Sequence, residues 1–293
     1  MSNKSEIILL NANKSFIESF LPACSQNDIP CTEVKSRNCL IVLMSGTKNA
    51  KLYHNNSLLK LKNSSVFVRQ KGHAEDFMQI ICELFNLQKI PFTDKTNLNF
   101  SAGHRKAHQM LTLSHNNIPI PNSIICQPNG YLVNKKVVDD LFPSFPLVLK
   151  AKGARGSAVW KVETEKELLE RMEEMDDAVL IQEYIPNTSD IRTLVFRKHI
   201  IGSIERSSTD GFYNNISKGG IGKQIDTTRE EEKLCVKACE LSGLDLGGVD
   251  FIRTKNGPVF LEVNKSPQLG GFTKTTNIDA PKVIVEILKQ EPI

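Results

Sequence analysis

Two polar side chains interrupt the apolar segment GPVFLEVNKSP near the end of the chain, at positions that could bind a metal ion. Glu262 and Asn264 are two residues apart on a predicted strand, so both side chains point to the same face. The Asn-Gly pair before this strand predicts a hairpin with the segment GVDFIR. Asp250 then falls nearly opposite Glu262, which brings two carboxylates and one amide together.

These three oxygen-bearing side chains predict a Mg²⁺ site. Magnesium binds a few carboxylate or amide oxygens together with the phosphates of a substrate. Two carboxylates this close are also unfavourable without a neighbouring cation. Asp250, Glu262 and Asn264 are therefore the predicted metal ligands. In the alternative interpretation, Asp250 and Glu262 pair with Arg or Lys side chains.

The segment LVLKAKGARGSAVWKV predicts a strand, a glycine-containing loop and a second strand. Lys150 lies at the end of the first strand and points at whatever lies beyond it. Because glycines let a backbone approach a ligand closely, the loop Gly153–Ser157 could cover phosphates with its N–H groups. The loop contains neither a Walker A motif nor a dinucleotide fingerprint, so a plain hairpin turn explains it equally well.

Two further segments carry groups that suit a nucleotide or an anionic substrate. The apolar strand VLIQEYIP leaves its sheet near Glu183 and Tyr184 and offers free backbone groups to an adenine ring. A plain strand end is the alternative. The segments SDIRTLVF and IERSS place Asp190, Arg192 and Arg206 where they could line a cleft, and arginines bind carboxylate or phosphate with two hydrogen bonds. Exposed, solvent-facing ion pairs are the alternative for these arginines.

The remaining elements must position these groups. Residues 1–95 alternate between helices and short apolar strands, such as EIILL and CLIVLM, the latter predicted to be buried. With a hairpin turn at Asn55-Asn56, this alternation predicts a small α/β domain. Residues 96–293 predict helices mixed with hairpins. The segment TLVFRKHIIGSIER predicts one hairpin, which would put Arg192 and Arg206 on neighbouring strands as a paired cationic surface, and Asp279 is the predicted N-cap of the last helix. The first of these helices should bury one face that carries these residues: Ala107, Met110, Leu111 and Ser114.

Composition limits the class of protein. The chain has 293 residues, 40% of them hydrophobic, and a formal net charge of +4 without a basic block, which does not indicate a nucleic-acid partner. The apolar run near the N-terminus is too short for a signal peptide, and no run reaches membrane-spanning length. Seven cysteines without a C-x-x-C pair indicate reduced thiols in a cytoplasmic protein, with Cys235 and Cys239 packed in the core.

The order of these segments resembles the ATP-grasp ligases, most closely the RimK-like family of ribosomal protein glutamate ligases. The motifs are a lysine-bearing strand, a glycine loop, Q-E-Y-I, D-I-R, I-E-R, N-x-x-K-G-G, V-D and E-V-N-x-S-P. The resemblance runs from about Lys106 to the C-terminus. It implies an α/β and α+β fold, in which a pre-ATP-grasp domain (1–95) precedes an ATP-grasp domain (96–293). The latter would comprise a central lid subdomain (about 110–184) and a C-terminal subdomain (about 185–293).

The resemblance also implies roles for individual residues. The ATP-binding residues would be Lys106, Lys150, Gln182, Glu183, Tyr184, Ile185, Asp190 and Asn215, with the adenine at Glu183 and Tyr184 and the ribose at Asp190. The metal ligands would be Asp250, Glu262 and Asn264, with two Mg²⁺ or Mn²⁺ ions expected. The substrate would meet Arg192, Arg206, Lys218 and Ser266, and catalysis would depend on Arg206, Lys150 and Asn264.

The sequence departs from the family pattern near the substrate. Tyr213 replaces the arginine of the family's R-x-N motif, and Ser217 and Lys218 replace the histidine and arginine of H-R-G-G. The glycine loop is one residue shorter than in RimK and carries Arg155. These departures affect substrate recognition and the lid more than the predicted Mg²⁺ site.

We therefore expect a cytoplasmic, homo-oligomeric, ATP-dependent carboxylate–amine ligase that acts through an acylphosphate. It should add glutamate or another acidic amino acid to an amino acid, a peptide or a protein terminus, without a nucleic-acid or membrane partner. In one alternative, the protein is an ATP-grasp enzyme of the same fold that uses another nucleophile, a thiol or a phosphoryl acceptor. A second is a nucleotide-binding regulatory module without turnover, although mere binding would need fewer charged groups.

Overall fold

The computed structural model describes residues 6–44, 50–61, 63–69, 75–98, 106–153, 156–173, 175, 177–207 and 221–291. Among the described residues, no helix combines the length and the apolar character that crossing a membrane requires. The elements form three α/β regions that follow one another along the chain.

The N-terminal region contains a parallel sheet and a small antiparallel sheet. Its elements are β1 (Glu6–Leu10), α1 (Lys14–Gln26), β2 (Cys31–Val34), β3 (Cys39–Val42), β4 (Lys51–His54), β5 (Ser57–Leu58), β6 (Ser64–Val68), α2 (Glu75–Leu87) and β7 (Phe92–Thr93). The parallel sheet has the order β2-β1-β6-β7, and the antiparallel sheet has the order β3-β4-β5. The helix α3 (Lys106–His115) follows this region.

The predicted alternation of strands and helices in this region is confirmed, with one exception. Asn55 and Asn56 both have left-handed backbone conformations, with φ of 48° and 62°, and they form the predicted hairpin turn between β4 and β5. The interpretation of CLIVLM as a buried strand was wrong. Its described strand β3 lies at the edge of the antiparallel sheet, and Leu40 is 51% exposed.

The second region is an antiparallel sheet covered by short helices. Its elements are β8 (Ser123–Cys126), α4 (Pro128–Val133), α5 (Lys135–Leu141), β9 (Leu147–Gly153), β10 (Gly156–Val162), α6 (Glu165–Glu173) and β11 (Val179–Glu183). The sheet order is β10-β9-β11-β8. β9 and β10 pair up to Gly153 and Gly156, so the two predicted strands form a hairpin, and Ala154 and Arg155 lie outside the described residues.

The third region is a five-stranded antiparallel sheet between two layers of helices. Its elements are β12 (Ser189–Phe196), β13 (His199–Ser207), β14 (Ile221–Ile225), α7 (Arg229–Leu241), β15 (Leu246–Thr254), β16 (Gly257–Asn264), α8 (Leu269–Thr276) and α9 (Ala280–Gln290). The sheet order is β14-β13-β12-β15-β16. The predicted hairpins β12–β13 and β15–β16 are confirmed, as is Asp279 as the N-cap of α9.

Two hydrophobic cores flank this sheet. On one face, α3 and α7 pack against the strands, and Cys235 and Cys239 lie fully inside this core as predicted. On the other face, α8 and α9 share one continuous core with β1 and α1 of the N-terminal region, where the rings of Phe67 and Phe196 stack 6.0 Å apart. The N-terminal region is therefore packed directly against the third region.

The helix α3 buries a different face from the predicted one. Met110 and Leu113 are buried as part of the core with α7, but Leu111 is 61% exposed. Gln109 is buried instead, because its amide group pairs with the backbone of β16. The hydrogen bonds between Gln109 and the edge strand β16 therefore determine which face of α3 is buried.

Candidate active site

The hairpin β15–β16 brings the three predicted metal ligands together. Asp250 and Glu262 are directly paired in the register, as predicted. Asn264 Nδ2 donates to Asp250 Oδ2 at 3.0 Å and to Glu262 Oε1 at 2.9 Å. Next to this pair the register shifts, so that Leu261 is an extra residue on β16. The group of Asp250, Glu262 and Asn264 is called the carboxylate–amide cluster below.

Two arginines from the neighbouring strands bind the Asp250 end of this cluster. Arg192 donates to both oxygens of Asp250, with distances of 2.7 Å from Nε and 2.6 Å from Nη2. Arg206 lies 3.0 Å from Asp250 Oδ2 and donates from Nε to Asp190 Oδ1 at 2.6 Å. Burial raises the pKa of Asp190 to about 6, aided by the charge of Asp250 and opposed by Arg206.

Lys106 and Lys150 approach the cluster from the opposite side. Lys106 Nζ lies 2.5 Å from Glu262 Oε2, and Lys150 Nζ donates to the carbonyl of Leu261 at 3.2 Å. Burial lowers the pKa of Lys150 to about 8, and the charge of Lys106 acts in the same direction. Burial would raise the pKa of Glu262, but the two lysines outweigh it and hold that pKa at about 2.

The ion pairs expected from the alternative interpretation of the hairpin are therefore also observed. Four cationic side chains surround Asp190, Asp250 and Glu262. The arginines lie on neighbouring strands, as predicted, but they contact these carboxylates, so they do not form a purely cationic surface. Arg206 meets Asp190 across the hairpin β12–β13, whereas Arg192 meets Asp250 because β12 pairs with β15, a strand far along the chain.

The residues of the cluster fit a Mg²⁺ ion. Lys106 and the amide N–H₂ of Asn264 occupy the positions beside the two carboxylates where a cation would be favoured. Which amide atom of Asn264 faces the carboxylates is set by the hydrogen-bond network, so rotation of the amide would present Oδ1 to a metal. The hard oxygen donors and their placement match the preference of Mg²⁺.

A cleft of about 240 Å³ opens beside the cluster. The cleft is lined by Arg192, Arg206 and the cluster residues Glu262 and Asn264, together with the exposed Ser266. Its other lining residues are apolar or uncharged: Leu194, Ile204, Pro267, Gln268, Gly271 and Phe272. Gln268 and Phe272 were not predicted, since no local sequence pattern marks them.

The predicted adenine segment lies where β11 leaves its sheet. Gln182 is buried, and its Nε2 donates to Ser123 Oγ at 2.8 Å. The Glu183 carboxylate accepts hydrogen bonds from the backbone and side-chain amides of Asn122. Tyr184 stacks under Lys161, whose Nζ is 4.6 Å from the ring centre, and Ile185 follows it outside the strand. A second cleft, of about 510 Å³, is lined by Tyr184 and Glu205 among others.

Several predicted residues lie outside the described residues. These are Asn215 and Lys218 together with the two departures from the family pattern, Tyr213 and Ser217.

Gln109 is a residue of the site that the sequence patterns did not predict. Its Nε2 donates to Val263 O at 2.9 Å, and its Oε1 accepts from Val263 N at 2.8 Å. Val263 lies between Glu262 and Asn264, so Gln109 fixes the backbone of the cluster.

Comparison with known protein families identifies the fold and the class of enzyme. The sequence model of the RimK-like ATP-grasp domain matches residues 103–288, well over half of the chain. The chain belongs to the RimK-like ATP-grasp family. It is therefore an enzyme, a ligase of the ATP-grasp class, and the resemblance drawn from the sequence motifs is confirmed.

Individual relatives agree with this assignment. A probable alpha-L-glutamate ligase of Vibrio atlanticus is 31% identical over 209 residues, which cover 68% of this chain and 67% of the relative. A second probable alpha-L-glutamate ligase, from an Enterobacter species, is 37% identical over 141 residues, which cover 47% of its length. This RimK-like ATP-grasp ligase thus matches between about half and two thirds of these relatives.

A solved structure shows the same fold over the whole chain. The ATP-grasp ligase PsnB, in complex with a minimal precursor, superposes with a TM-score of 0.74. The superposition covers 98% of this chain and 100% of PsnB, at 14% sequence identity. The predicted α/β and α+β ATP-grasp fold is therefore confirmed.

Proposed function

We propose that this RimK-like ATP-grasp ligase joins an acidic amino acid, most simply glutamate, to an amine or carboxylate partner that is an amino acid, a peptide or a protein terminus. The observation that carries the proposal is the convergence of Lys106, Lys150, Arg192 and Arg206 on the carboxylate–amide cluster, which borders a cleft. The relatives named as glutamate ligases support the choice of amino acid.

The chemistry follows from the charges in the cleft. A substrate carboxylate attacks the γ-phosphate of ATP, ADP leaves, and an acylphosphate forms. An amine then attacks the acyl carbon, and phosphate leaves with the new amide bond in place. Catalysis of this kind depends on positioning and on neutralising the charge of the transferring phosphoryl group.

Individual residues are assigned to these tasks within the proposal. Lys106 and Lys150 bind phosphate oxygens, and the cluster of Asp250, Glu262 and Asn264 holds two Mg²⁺ ions. When bound, Mg²⁺ neutralises phosphate charge and orients the oxygens for transfer. Lys150 lies next to the cluster, where the carbonyl of the extra residue Leu261 accepts a hydrogen bond from its ammonium group.

The arginines support the metal site more directly than the substrate. Arg192 and Arg206 hold Asp250 from the side away from Lys106, so they fix the orientation of its carboxylate. Both also line the 240 Å³ cleft, where they favour a substrate with a negative charge. An apolar amino acid would form few favourable contacts with Arg192 and Arg206 and would displace water from these charged groups.

The remaining parts of the nucleotide site belong to the same proposal. Glu183, Tyr184 and Ile185 bind adenine, chiefly through their backbone, and Asp190 meets the ribose. Gln182 supports this strand end from inside the lid. Asn215 and Lys218, which lie outside the described residues, would complete the phosphate and substrate contacts. The lid subdomain, about 110–184, would close over the nucleotide.

A screen of amino acids in pairs tests the substrate assignment. ADP release is measured with Mg²⁺ and ATP against all pairs of amino acids and short peptides, and products are identified by mass spectrometry. We expect release to require glutamate or aspartate in at least one position. Robust release with neutral or basic pairs, and none with acidic ones, would contradict the proposal.

A further inference from the structure

A buried ion pair links the N-terminal region to the hairpin that carries the carboxylate–amide cluster. Arg69 follows β6 and Asp94 follows β7, and these strands are parallel neighbours. The two side chains are 4% and 0% exposed, and Arg69 Nη1 lies 3.8 Å from Asp94 Oδ2. Both residues thus lie at the carboxyl edge of the parallel sheet, the edge where open α/β sheets bind their ligands.

Each member of this pair also contacts one end of the hairpin. Arg69 Nη2 donates to the carbonyl of Lys265 at 3.1 Å, and Lys265 directly follows Asn264. Asp94 Oδ1 accepts from the N–H groups of Asp245 and Leu246, at 2.9 and 3.3 Å. Leu246 is the first residue of β15, so the ion pair holds the start of one strand and the end of the other.

The chain around Asp94 strengthens this connection. Lys265 Nζ contacts Asn97 Oδ1, and Asn97 Nδ2 donates to the carbonyl of Asp94 at 2.9 Å. The Thr96 N–H donates to the carbonyl of Gly243 at 3.2 Å. The segment from Asp94 to Asn97 is therefore bonded to the chain on both sides of the hairpin.

Burying the charges of Arg69 and Asp94 costs desolvation free energy, so the presence of this ion pair needs a reason. Burial lowers the pKa of Arg69, opposed by the charge of Asp94. Burial raises the pKa of Asp94, opposed by the charges of Arg69 and Lys265 and by the hydrogen bonds from the N–H groups of Leu246 and Asp245. Arg69 Nη1 and Asp94 Oδ2 have no closer hydrogen-bond partner among the described residues. Apolar residues of similar volume often stabilise a fold as well as a buried ion pair does, so stability alone gives little reason for this one.

We infer that Arg69 is a positioning residue for the metal site, since its bond to the Lys265 carbonyl fixes the end of β16 and with it Asn264. The inference rests on the proposed function, because it takes Asn264 as a metal ligand. It gives the N-terminal region a task in the reaction: it holds the hairpin in the geometry that binds Mg²⁺.

The test compares variants that keep the fold but lose this bond. Asp94→Asn retains an oxygen that can accept from Asp245 and Leu246, and it removes one buried charge. Adding Arg69→Met then removes the opposite charge together with the bond to Lys265. Arg69→Lys is a milder second variant, because lysine keeps the charge without the planar fork. Lys237→Met is the control, since Lys237 also donates to a backbone carbonyl, that of Asn116, and belongs neither to the cluster nor to the network around Asp94.

Two quantities are measured for each variant: the Mg²⁺ concentration that gives half-maximal ADP release, and the Kd for Mn²⁺ in the absence of turnover. In the double variant both should rise about 10-fold or more relative to Asp94→Asn, the usual effect of losing a group that orients a metal ligand. Saturating Mg²⁺ should restore the maximal rate. Arg69→Lys should show a smaller rise, and Lys237→Met none.

The contrary outcomes are equally distinct. A lower maximal rate with unchanged half-saturation and unchanged Mn²⁺ affinity would overturn the positioning role. If the double variant does not fold, Arg69→Lys decides by the same two quantities. Absence of Mg²⁺-dependent ADP release in the unmodified protein would count against the proposed function, whereas a normal response there with unaltered variants would count against this inference alone.

Discussion

Lys106 Nζ and Glu262 Oε2 lie 2.5 Å apart, so a candidate phosphate ligand is paired with a candidate metal ligand. The two residues come from α3 and β16, and each side chain is 23% exposed. A cation cannot bind Glu262 fully while Lys106 occupies one of its oxygens. The arrangement therefore couples metal binding to phosphate binding, because Mg²⁺ would release Lys106 for the nucleotide.

Replacing Lys106 by Met should separate these two functions. Without nucleotide, Mn²⁺ should bind about fivefold more tightly, as expected if the lost ion pair contributed about 1 kcal/mol. ATP should bind more weakly. Titration of Mn²⁺ followed by electron paramagnetic resonance measures the first effect, and calorimetry measures the second. Lys166→Met, at an exposed position on α6, is the control. Unchanged or weaker Mn²⁺ binding in Lys106→Met would show that the lysine does not compete with the metal.

Replacing Glu262 by Gln should abolish turnover and also lower stability moderately. The pKa of Glu262 is depressed to about 2 from 4.5, so its charge stabilises the fold above pH 4.5 and this contribution is lost as the pH falls through 2. A shift of this size corresponds to about 2–4 kcal/mol at neutral pH. Urea unfolding at pH 7 and ADP release measure the two effects.

Glu231→Gln provides a matched control for this variant. Glu231 forms a bidentate ion pair with Arg253, outside the lining of the 240 Å³ cleft, and the hydrogen bond from Arg253 is the main reason that the pKa of Glu231 is lowered. This variant should lose stability but keep its rate of ADP release. Normal turnover in Glu262→Gln would contradict the assignment of Glu262 to the metal site.

The affinity for ATP should fall as the pH rises through about 8. Burial lowers the pKa of Lys150 to about 8, so the free enzyme loses this positive charge above that pH. A charge-assisted hydrogen bond contributes about 1.5–3 kcal/mol to binding, and Lys150→Met should lose that amount at pH 7. Kd values for ATP between pH 6.5 and 9.5 test this. Lys150→Arg should bind with little change over this range, since arginine stays charged; an equal decline in Lys150→Arg would assign the effect to another group.

Replacing Gln109 by Leu should destabilise the protein by about 2–4 kcal/mol, because the N–H and C=O of Val263 would both be left buried without partners. Gln109→Glu can still accept from the N–H group but cannot donate to the carbonyl, so its stability should be intermediate. Gln79→Leu, which removes one 3.3 Å bond to Leu98 O, serves as the control. Denaturant unfolding measures all three. Equal stabilities of Gln109→Leu and Gln79→Leu would show that β16 is held by other contacts.

Local sequence signals predicted the centre of the site. The two-residue period of β16 and the Asn-Gly turn place Asp250 nearly opposite Glu262, because both depend only on neighbouring residues, and the extra residue Leu261 brings the two into direct register. The period of α3 was ambiguous, since Met110, Leu111 and Leu113 are all apolar. Gln109 resolved it by bonding to Val263, a residue 154 positions away that no local pattern reveals.

The charge partners could not be predicted for the same reason. Arg192 and Asp250 meet because β12 and β15 are neighbours in the sheet, which depends on the order of all five strands. Arg69 and Asp94 lie in unremarkable segments, and their partners are backbone groups near positions 245 and 265. Long-range hydrogen bonds of this kind follow from the tertiary fold, so they need the structure.

The most direct test of the central claim is to quantify all products formed from the substrate pair that releases ADP fastest. One substrate carboxylate is labelled with ¹⁸O, and ADP, phosphate and amide are quantified together by mass spectrometry. An acylphosphate route predicts equal amounts of ADP, phosphate and amide, with one ¹⁸O atom transferred to the phosphate and an acidic residue in the amide. Release of AMP and pyrophosphate, unlabelled phosphate, or nucleotide turnover without an amide would contradict the account.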